Sequence, residues 1–576
     1  MQYNLKDFNR DKTYNVYLSP NTQEKFNYSD GKIENKIFKI LDKSNDNSVF
    51  SKELIDQIVD WPTEYHLSPL RHNLLRHIDF KRTDNILELG CGCGAITRQL
   101  GETGASVSAV EGSINRAKSA SARCKDLSNV KVYVSNFQNV IFENQFDYVT
   151  LIGVLEYSPV YINEENPFKT VLDIAKRALK PNGKLIIAIE NRLGLKYFMG
   201  LSEDHGNPPF FGIQDLYNKQ TAKTFGRKEL QNLLLDNEFN DLEFQYPFPD
   251  YKIPEVVFFE SAFNTSKFSP SDIISQLFSR DYSGTKSELF SEKLVWPMLD
   301  SNKLIPSLSN SFLVIAGLNL SKEEYKSQNI LAVKYTVDRK SEFNTLTEFV
   351  KDNDDKIVVK KKNISPSNNS DSDFSQDLQE GIYHRGKNLG LQVDNAINLD
   401  NFDEFIKYIK LWIDFIILNG IKEKDVENVY NSKLLPEYID CIPKNLMITD
   451  NGLEYIDKEW LFKKEFVIYS IIIKYFWDID RDFINKHIDG NKNSISKLFI
   501  YLEIPLNKIL LVKQHSFNKS FNKLYMDYPK YYKSFFHINK KRRIIFKLLN
   551  VLPENILNKV PLILKEIVKK IVKRFT

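Results

Sequence analysis

From residue 84 the chain alternates short β-branched apolar runs with amphipathic stretches. "NILELG", "SVSAVEG" and "NVKVYVSN" come first, then the longer "FDYVTLIGVLEY". The helical "FKTVLDIAKRALK" leads into "NGKLIIAIEN". Apolar runs that do not alternate are buried on both faces, and strands separated by helices make crossover connections. The pattern therefore predicts an α/β domain with a parallel sheet between helices. "DLEFQYPFPDYKIPEVVFFE" and "SFLVIAGLNL" read as a terminal antiparallel hairpin. Residues 1–80 read as a lead-in of short helices and loops, and the polar "NLSKEEYKSQN" at 319–329 as a domain boundary. Beyond it the grammar changes. "ILAVKYTVDRKSEFNTLTEFV" and "DKIVVKKK" are antiparallel strands, "FSQDLQE" is helical, and "FDEFIKYIKLWIDFIILNG" is a long amphipathic helix. An α+β domain over 330–535 follows from this, mostly helical after residue 460.

At 576 residues the chain exceeds one hydrophobic core, in keeping with two or three domains. Apolar residues at 42% and charged residues at 27% are those of a folded globular protein. The charge is uneven. From Lys540 to the end, eleven basic residues face only Glu554 and Glu566, in a chain whose net charge is +4. In "PLILKEIVKKIVKRFT", Leu564, Ile567, Val568, Ile571, Val572 and Phe575 recur at helical spacing, with lysines opposite. Such a basic amphipathic helix, at 540–576, suits an anionic membrane surface or a partner protein such as a glycosyltransferase. No nucleic-acid recognition module accompanies it. Cys91, Cys93, Cys124 and Cys441 form no pair of CxxC motifs, which argues against zinc and a disulfide framework. "MQYNLKDFNRDK" has no apolar core, so no signal peptide is expected, and the expected location is cytoplasmic, peripheral at the inner face of a membrane.

The loop "LELGCGCGAITRQLG" follows a strand and opens a helix, with Gly90, Gly92 and Gly94 alternating. Glycines there let the backbone turn sharply and approach a ligand closely. Glu111 ends the next strand, where an acid accepts ribose hydroxyls. Glu88 precedes the glycines and orders the loop or a ligand ammonium. A dinucleotide and S-adenosylmethionine both suit such a site, and the spacing G-x-G-x-G favours the second over a dehydrogenase's G-x-G-x-x-G. Residues 60–320 resemble class I S-adenosylmethionine-dependent methyltransferases with a Rossmann-like sheet. The resemblance implies that Gly90, Gly92 and Gly94 line the methionine and ribose, that Glu111 binds the ribose, and that Asn136 contacts adenine. "EYHLSPLRHNLLR", "GVLEYS", "AIENRLGLKY", "EDHG" and "YPFPDYKIP" are similar to a bacterial subgroup linked to surface-polysaccharide synthesis. It implies a sugar hydroxyl, or a phosphate on a sugar, as acceptor. A hydroxyl gains from a base, for which Glu156, Glu190, Asp204 and His205 are candidates. A phosphate wants cations, for which Arg71, Arg192 and Lys196 are candidates.

A second constellation lies in "YIDCIPKNLMITDNGLEYIDKEW" (438–460). "NLMI" and "LEYI" are hairpin strands joined by "TDNG", which sets Asn445 beside Asp457. Asp440, Asn445 and Asp457 have the types and order of a phosphotransferase's base and two metal ligands. Lys360 on a strand and Glu380 after it supply the ion pair such a site uses, with Lys361 as rival to Lys360. "LGLQVDN" is placed as the adenine-contacting connection. Residues 330–535 resemble the aminoglycoside-phosphotransferase and protein-kinase superfamily, which implies Mg-ATP. The motifs depart from it: "YID" lacks the usual His, "DKEW" lacks the usual Gly, and the covering hairpin has no glycine. Together the halves resemble bifunctional kinase–methyltransferases that end O-antigen chains. Three functions follow for test: a glycan O-methyltransferase with a kinase-like domain, a bifunctional glycan kinase and methyltransferase, and a non-catalytic scaffold for a membrane-bound glycan-assembly complex.

Overall fold

A computed structural model describes residues 2–20, 31–282, 289–319, 329–365, 373–477, 479–489 and 494–505. The predicted tail at 540–576 and residues 506–535 of the predicted second domain lie outside the described residues. Fourteen strands hydrogen-bond into one sheet: β1 (Asn9–Asp11), β2 (Val16–Leu18), β3 (Asn85–Leu89), β4 (Ser106–Glu111), β5 (Val130–Val134), β6 (Phe146–Ile152), β7 (Leu179–Glu190), β8 (Asp241–Phe248), β9 (Val256–Phe259), β10 (Ser311–Gly317), β11 (Ile330–Thr336), β12 (Thr345–Lys351), β13 (Ile357–Asn363) and β14 (Gly381–Ile382). Their order is β14-β13-β12-β11-β9-β8-β10-β7-β6-β3-β4-β5-β2-β1.

From β2 to β7 the neighbours run parallel. Strand β10 enters antiparallel between β7 and β8, and the pairings onward to β14 are antiparallel. The apolar runs read from the sequence supply this parallel core: Ile86, Leu87 and Leu89 of β3 and Leu185–Ile189 of β7 are fully buried. Helices Ala95–Glu102, Ile114–Arg123 and Pro167–Ala178 make crossovers. Winding reverses between β3 and β6, so the loops after β3, β4 and β6 open at one sheet edge. That switch point is where open α/β sheets bind ligands.

The polar stretch at 319–329 does not separate two sheets. Strand β11 pairs with β9, matching Val256, Val257 and Phe258 to Lys334, Val333 and Ala332. Val257, Phe259, Val333, Tyr335, Val337 and Leu346 form one apolar cluster across that seam. Packing changes later. Residues from Phe374 to Ile504 form a second core, around Trp412, Phe405, Tyr469 and Phe476, which Phe343 also joins. A polar composition marked the connection, while edge pairing of β9, a tertiary event, decided where the sheet ended.

One local expectation is corrected and another gains its secondary structure. "FSQDLQE" is not helical: Phe374–Gln376 is a strand paired with Trp460–Phe462, because Phe374 packs on Phe462 and Trp460. "LGLQVDN", placed as the adenine-contacting connection, is part of helix Leu389–Asn398, capped by Asn388, whose side chain accepts from the Leu391 N–H at 3.1 Å. Its buried residues Leu389, Val393 and Ala396 keep helical spacing.

Candidate functional site

The glycine loop spans the C-terminal end of β3 and the start of helix Ala95–Glu102. Gly90, Gly92 and Gly94 have φ of +76°, +55° and +81°, a region that side chains disfavour. Gly94 also needs its missing Cβ: one there would lie 2.6 Å from Ala120 Cα. At Gly92 a Cβ would meet nothing within 4 Å, so that backbone faces open space. Glu111 is buried and locks the loop, its two carboxylate oxygens accepting from the Gly92 N–H at 2.8 Å and the Ser113 N–H at 2.9 Å. Burial raises its pKa, against the pull of Arg116. Glu88 is 3% exposed, and its Oε2 is buried without a hydrogen-bond partner. Burial pushes its pKa up to about 8. A buried carboxyl oxygen awaiting a donor, beside an open glycine backbone, fits a cationic, hydroxylated ligand such as S-adenosylmethionine. Asn136 stands just past β5, where the carboxamide closes its own turn: Oδ1 accepts from the Gln138 N–H at 3.1 Å and Nδ2 donates to Gln138 Oε1 at 3.0 Å.

Beyond β6 and β7 the structure brings Glu156, Glu190 and His205 together. One ligand atom from each lies within 4.8 Å of the others. Glu156 and Glu190 are fully buried, and both Glu156 oxygens lack a hydrogen-bond partner. Burial first, and Glu190 next, push the Glu156 pKa up to about 8. His205 Nε2 is 3.4 Å from Glu190 Oε2, and its Nδ1 is 3.0 Å from the Tyr157 hydroxyl. Burial opposes a charge on Glu190, but Lys252, which donates to its Oε1, and His205 hold its pKa well below the usual range. Burial likewise opposes the His205 cation, yet Glu190 outweighs it and raises that pKa.

Asp204 is not in this trio. Its Oδ2 accepts from Lys252 at 2.8 Å and Lys196 at 2.7 Å. Lys196 also approaches Asp250 at 3.6 Å, and Asp250 accepts from the Tyr282 hydroxyl at 2.6 Å. The three cations expected for a phosphate are engaged elsewhere. Arg71 donates to the carbonyls of Tyr251 (2.9 Å) and Lys252 (3.1 Å). Arg192 pairs with Glu229 and Asp215, both at 3.0 Å, and Lys196 serves Asp204. Sequence reasoning missed Lys252 and Tyr157. Both lie inside quoted blocks, "YPFPDYKIP" and "GVLEYS", but only the fold aims them at Glu190 and His205.

In the second half the hairpin Leu446–Thr449/Gly452–Tyr455 forms as read. The Ile456 N–H donates to the Asn445 carbonyl at 2.9 Å, which sets Asn445 beside Asp457 in the backbone. Their side chains go separate ways. Asn445 Nδ2 donates to Asp440 Oδ2 at 3.0 Å and to its carbonyl at 2.9 Å. Lys474 holds Asp440 Oδ1 at 2.9 Å. Burial would raise the Asp440 pKa, but Lys474 and Lys444 outweigh it and lower it. Asp457 pairs with Lys361, which also reaches Glu459 at 3.0 Å, and Arg339 closes on Glu459. Lys360 does meet Glu380, at 3.4 Å, but in an exposed pair remote from these acids. The lysine that faces them is therefore the rival, because alternation along β13 turns Lys361 inward and Lys360 outward. Sequence reasoning missed Lys474, Glu459 and Arg339.

A family model described as a methyltransferase domain matches residues 80–223. The ubiquinone biosynthesis O-methyltransferase of Rickettsia conorii is 27% identical over 193 residues, 30% of this chain and 64% of that protein. The demethylmenaquinone methyltransferase of Tropheryma whipplei is 30% identical over 104 residues, 18% of this chain and 41% of that protein. Among solved structures, a Haemonchus contortus phosphoethanolamine N-methyltransferase bound to S-adenosylhomocysteine covers 49% of this chain and 60% of its own, at 18% identity and a TM-score of 0.28. The family match at 80–223 takes in the glycine loop and strands β3 to β7 that position it, and the chain thus carries a class I S-adenosylmethionine-dependent methyltransferase domain.

Proposed function

We propose that this chain transfers a methyl group to a sugar hydroxyl in a cell-surface glycan or its lipid-linked precursor. One observation carries the reading: the blocks "GVLEYS", "AIENRLGLKY", "EDHG" and "YPFPDYKIP", far apart in sequence, meet at the buried cluster of Glu156, Glu190, His205 and Lys252. Glu88, Gly90, Gly92, Gly94 and Glu111 would hold S-adenosylmethionine, with Asn136 toward its adenine. When bound, the cofactor supplies a methyl group on a positively charged sulfur. Glu156 takes the proton leaving the acceptor hydroxyl, since its two oxygens are unpartnered and its pKa of about 8 suits proton transfer near neutral pH. Lys252 keeps Glu190 ionised, and Glu190 with Tyr157 fixes the His205 ring. A hydroxyl is favoured over a phosphate because the cations expected for a phosphate, Arg71, Arg192 and Lys196, are engaged elsewhere. The curated relatives named above include an O-methyltransferase, in line with oxygen as the acceptor.

The test uses labelled S-adenosylmethionine with glycan and lipid-linked glycan fractions. Label should enter the glycan, and Glu156→Gln should lower kcat by about 10²–10⁴-fold while cofactor binding persists. Label confined to a phenolic or quinol fraction would overturn the glycan acceptor. A second reading, phosphoryl transfer by the second half, draws support from Lys361 reaching Asp457 and Glu459 and from Asn445 beside Asp440. Calorimetry with Mg-ATP tests it: binding abolished by Asp457→Ala supports that reading, and no binding leaves a scaffold role. Among the described residues no helix is long and apolar enough to cross a membrane. Attachment to an anionic membrane or a glycosyltransferase would fall to the basic C-terminal segment.

A further inference from the structure

We propose that Glu156, Glu190 and His205 bind one divalent first-row cation, of the Mn²⁺ type, which meets the acceptor hydroxyl. The inference rests on the hydroxyl-methylation reading and adds to it a metal site.

Three features of the cluster have the form of a metal site. The first is donor geometry: two carboxylates and an imidazole, from the loop after β6, the end of β7 and the "EDHG" loop, offer ligand atoms within 4.8 Å of one another. The second is unmet bonding. Glu156 is 0% exposed and neither of its oxygens has a hydrogen-bond partner; Glu190 Oε2 and His205 Nε2 face each other at 3.4 Å with no other partner. Buried polar atoms are normally satisfied, so an unmet carboxylate aimed at two other donors points to a ligand. The third is the outer ring of contacts. Tyr157 holds His205 Nδ1 at 3.0 Å, which leaves Nε2 for a metal, and Lys252 holds Glu190 Oε1, which leaves Oε2. Metal-binding imidazoles and carboxylates characteristically carry such a partner on their other atom.

A mixed carboxylate–imidazole set suits Mn²⁺ among first-row cations, and three protein ligands leave positions open for a substrate oxygen. Coordination of the acceptor hydroxyl favours its ionised form. Only one Glu156 oxygen is needed as ligand. The other remains to take the hydroxyl proton, so cation and base are compatible on one side chain.

The experiment titrates Mn²⁺ into the full chain, without acceptor, and follows the loss of the free-ion electron paramagnetic resonance signal. One Mn²⁺ per chain is expected, weakened at least tenfold by Glu156→Gln and about 10-fold by Tyr157→Phe. Both variants should bind S-adenosylmethionine as wild type does, which certifies the fold. No bound Mn²⁺, or binding lost with Asp457→Ala and not with Glu156→Gln, overturns the site. Mn²⁺ bound as expected with no methyl reaching any glycan upholds the site and overturns the acceptor reading, so the two failures are distinct.

Discussion

Replacing Glu88 by Gln separates what the fold tolerates from what the cofactor needs. Glu88 is the penultimate residue of β3, with its carboxyl buried and one oxygen unpartnered. Burial raises its pKa from 4.5 to about 8. An acid whose folded pKa is raised adds nothing below its unfolded value. Above pH 4.5 the unfolded chain sheds a proton that the folded chain retains, so stability falls with rising pH until about pH 8 and is level beyond. At pH 7 the loss is about 2.5 units at 1.36 kcal/mol each, or about 3 kcal/mol; at pH 5 it is under about 1 kcal/mol. Gln has the same shape and no proton to lose. Glu88→Gln should therefore stabilise the ligand-free protein by about 3 kcal/mol at pH 7 and by much less at pH 5. At about 2 °C per kcal/mol for a domain of this size, the midpoint gain should grow by about 4–5 °C between those pH values. The same change should weaken S-adenosylmethionine binding by about 10–100-fold, through loss of a charge-assisted hydrogen bond. Scanning fluorimetry of wild type and variant across pH, with calorimetric titration of the cofactor, reads both effects. A midpoint difference that is flat with pH, or unchanged cofactor affinity, would refute the assignment of Glu88 as a carboxyl held for the ligand.

Two glycines should part company in the same assay. Gly92→Ala has open space for its methyl group and should fold at a cost of about 1–2 kcal/mol while losing cofactor affinity. Gly94→Ala drives its methyl group into Ala120 and should lower the melting midpoint more, with or without ligand. In the second half, Lys361→Met leaves Asp457 without its lysine and Glu459 with only Arg339 and Gln376, which should cost about 2–4 kcal/mol by denaturant titration. Lys360→Met breaks an exposed pair and should cost less than about 1 kcal/mol; equal losses would refute the inward assignment of Lys361. Truncation after residue 319 bares the β9 edge and the apolar side chains that cover β11, so the fragment should aggregate on size-exclusion chromatography. A soluble, monomeric fragment that binds the cofactor would show that the seam is dispensable.

The parallel core and its glycine loop were legible because both are local. Runs such as "NILELG" carry their burial in composition, and the alternating glycines report a backbone requirement at Gly90, Gly92 and Gly94. The hairpin at 446–455 was legible for the same reason, through "NG". What failed to show was what tertiary contact decides. The extension of the sheet through β9 and β11 depends on edge complementarity between segments some seventy residues apart. The strand at Phe374–Gln376 forms because Trp460–Phe462 is there to receive it. Lys360 and Lys361 are adjacent and chemically alike; only the register of β13 chooses between them.

The charges behind the cluster of Glu156, Glu190 and His205 bear on why it is built as it is. Glu190, Asp204 and Asp250 are interleaved with Lys196 and Lys252 in a region where side chains are almost wholly buried. Interior ion pairs seldom gain stability over apolar residues of equal volume, because desolvation offsets the attraction, while removal of one partner is costly. Stability alone therefore gives no reason for five charged groups here. Their geometric effect is specific. Lys252 bridges Glu190 to Asp204, Lys196 bridges Asp204 to Asp250, and Tyr282 closes the end. Glu190, Asp204 and Asp250 are thereby each held in one orientation, and the lysines keep Glu190 and Asp204 ionised against the pull of burial. Glu156 alone stays unpartnered, its carboxyl raised toward neutrality by burial and by Glu190. On the proposed function, such a ladder presents one unpartnered carboxyl, in a fixed place, as the base for the acceptor hydroxyl.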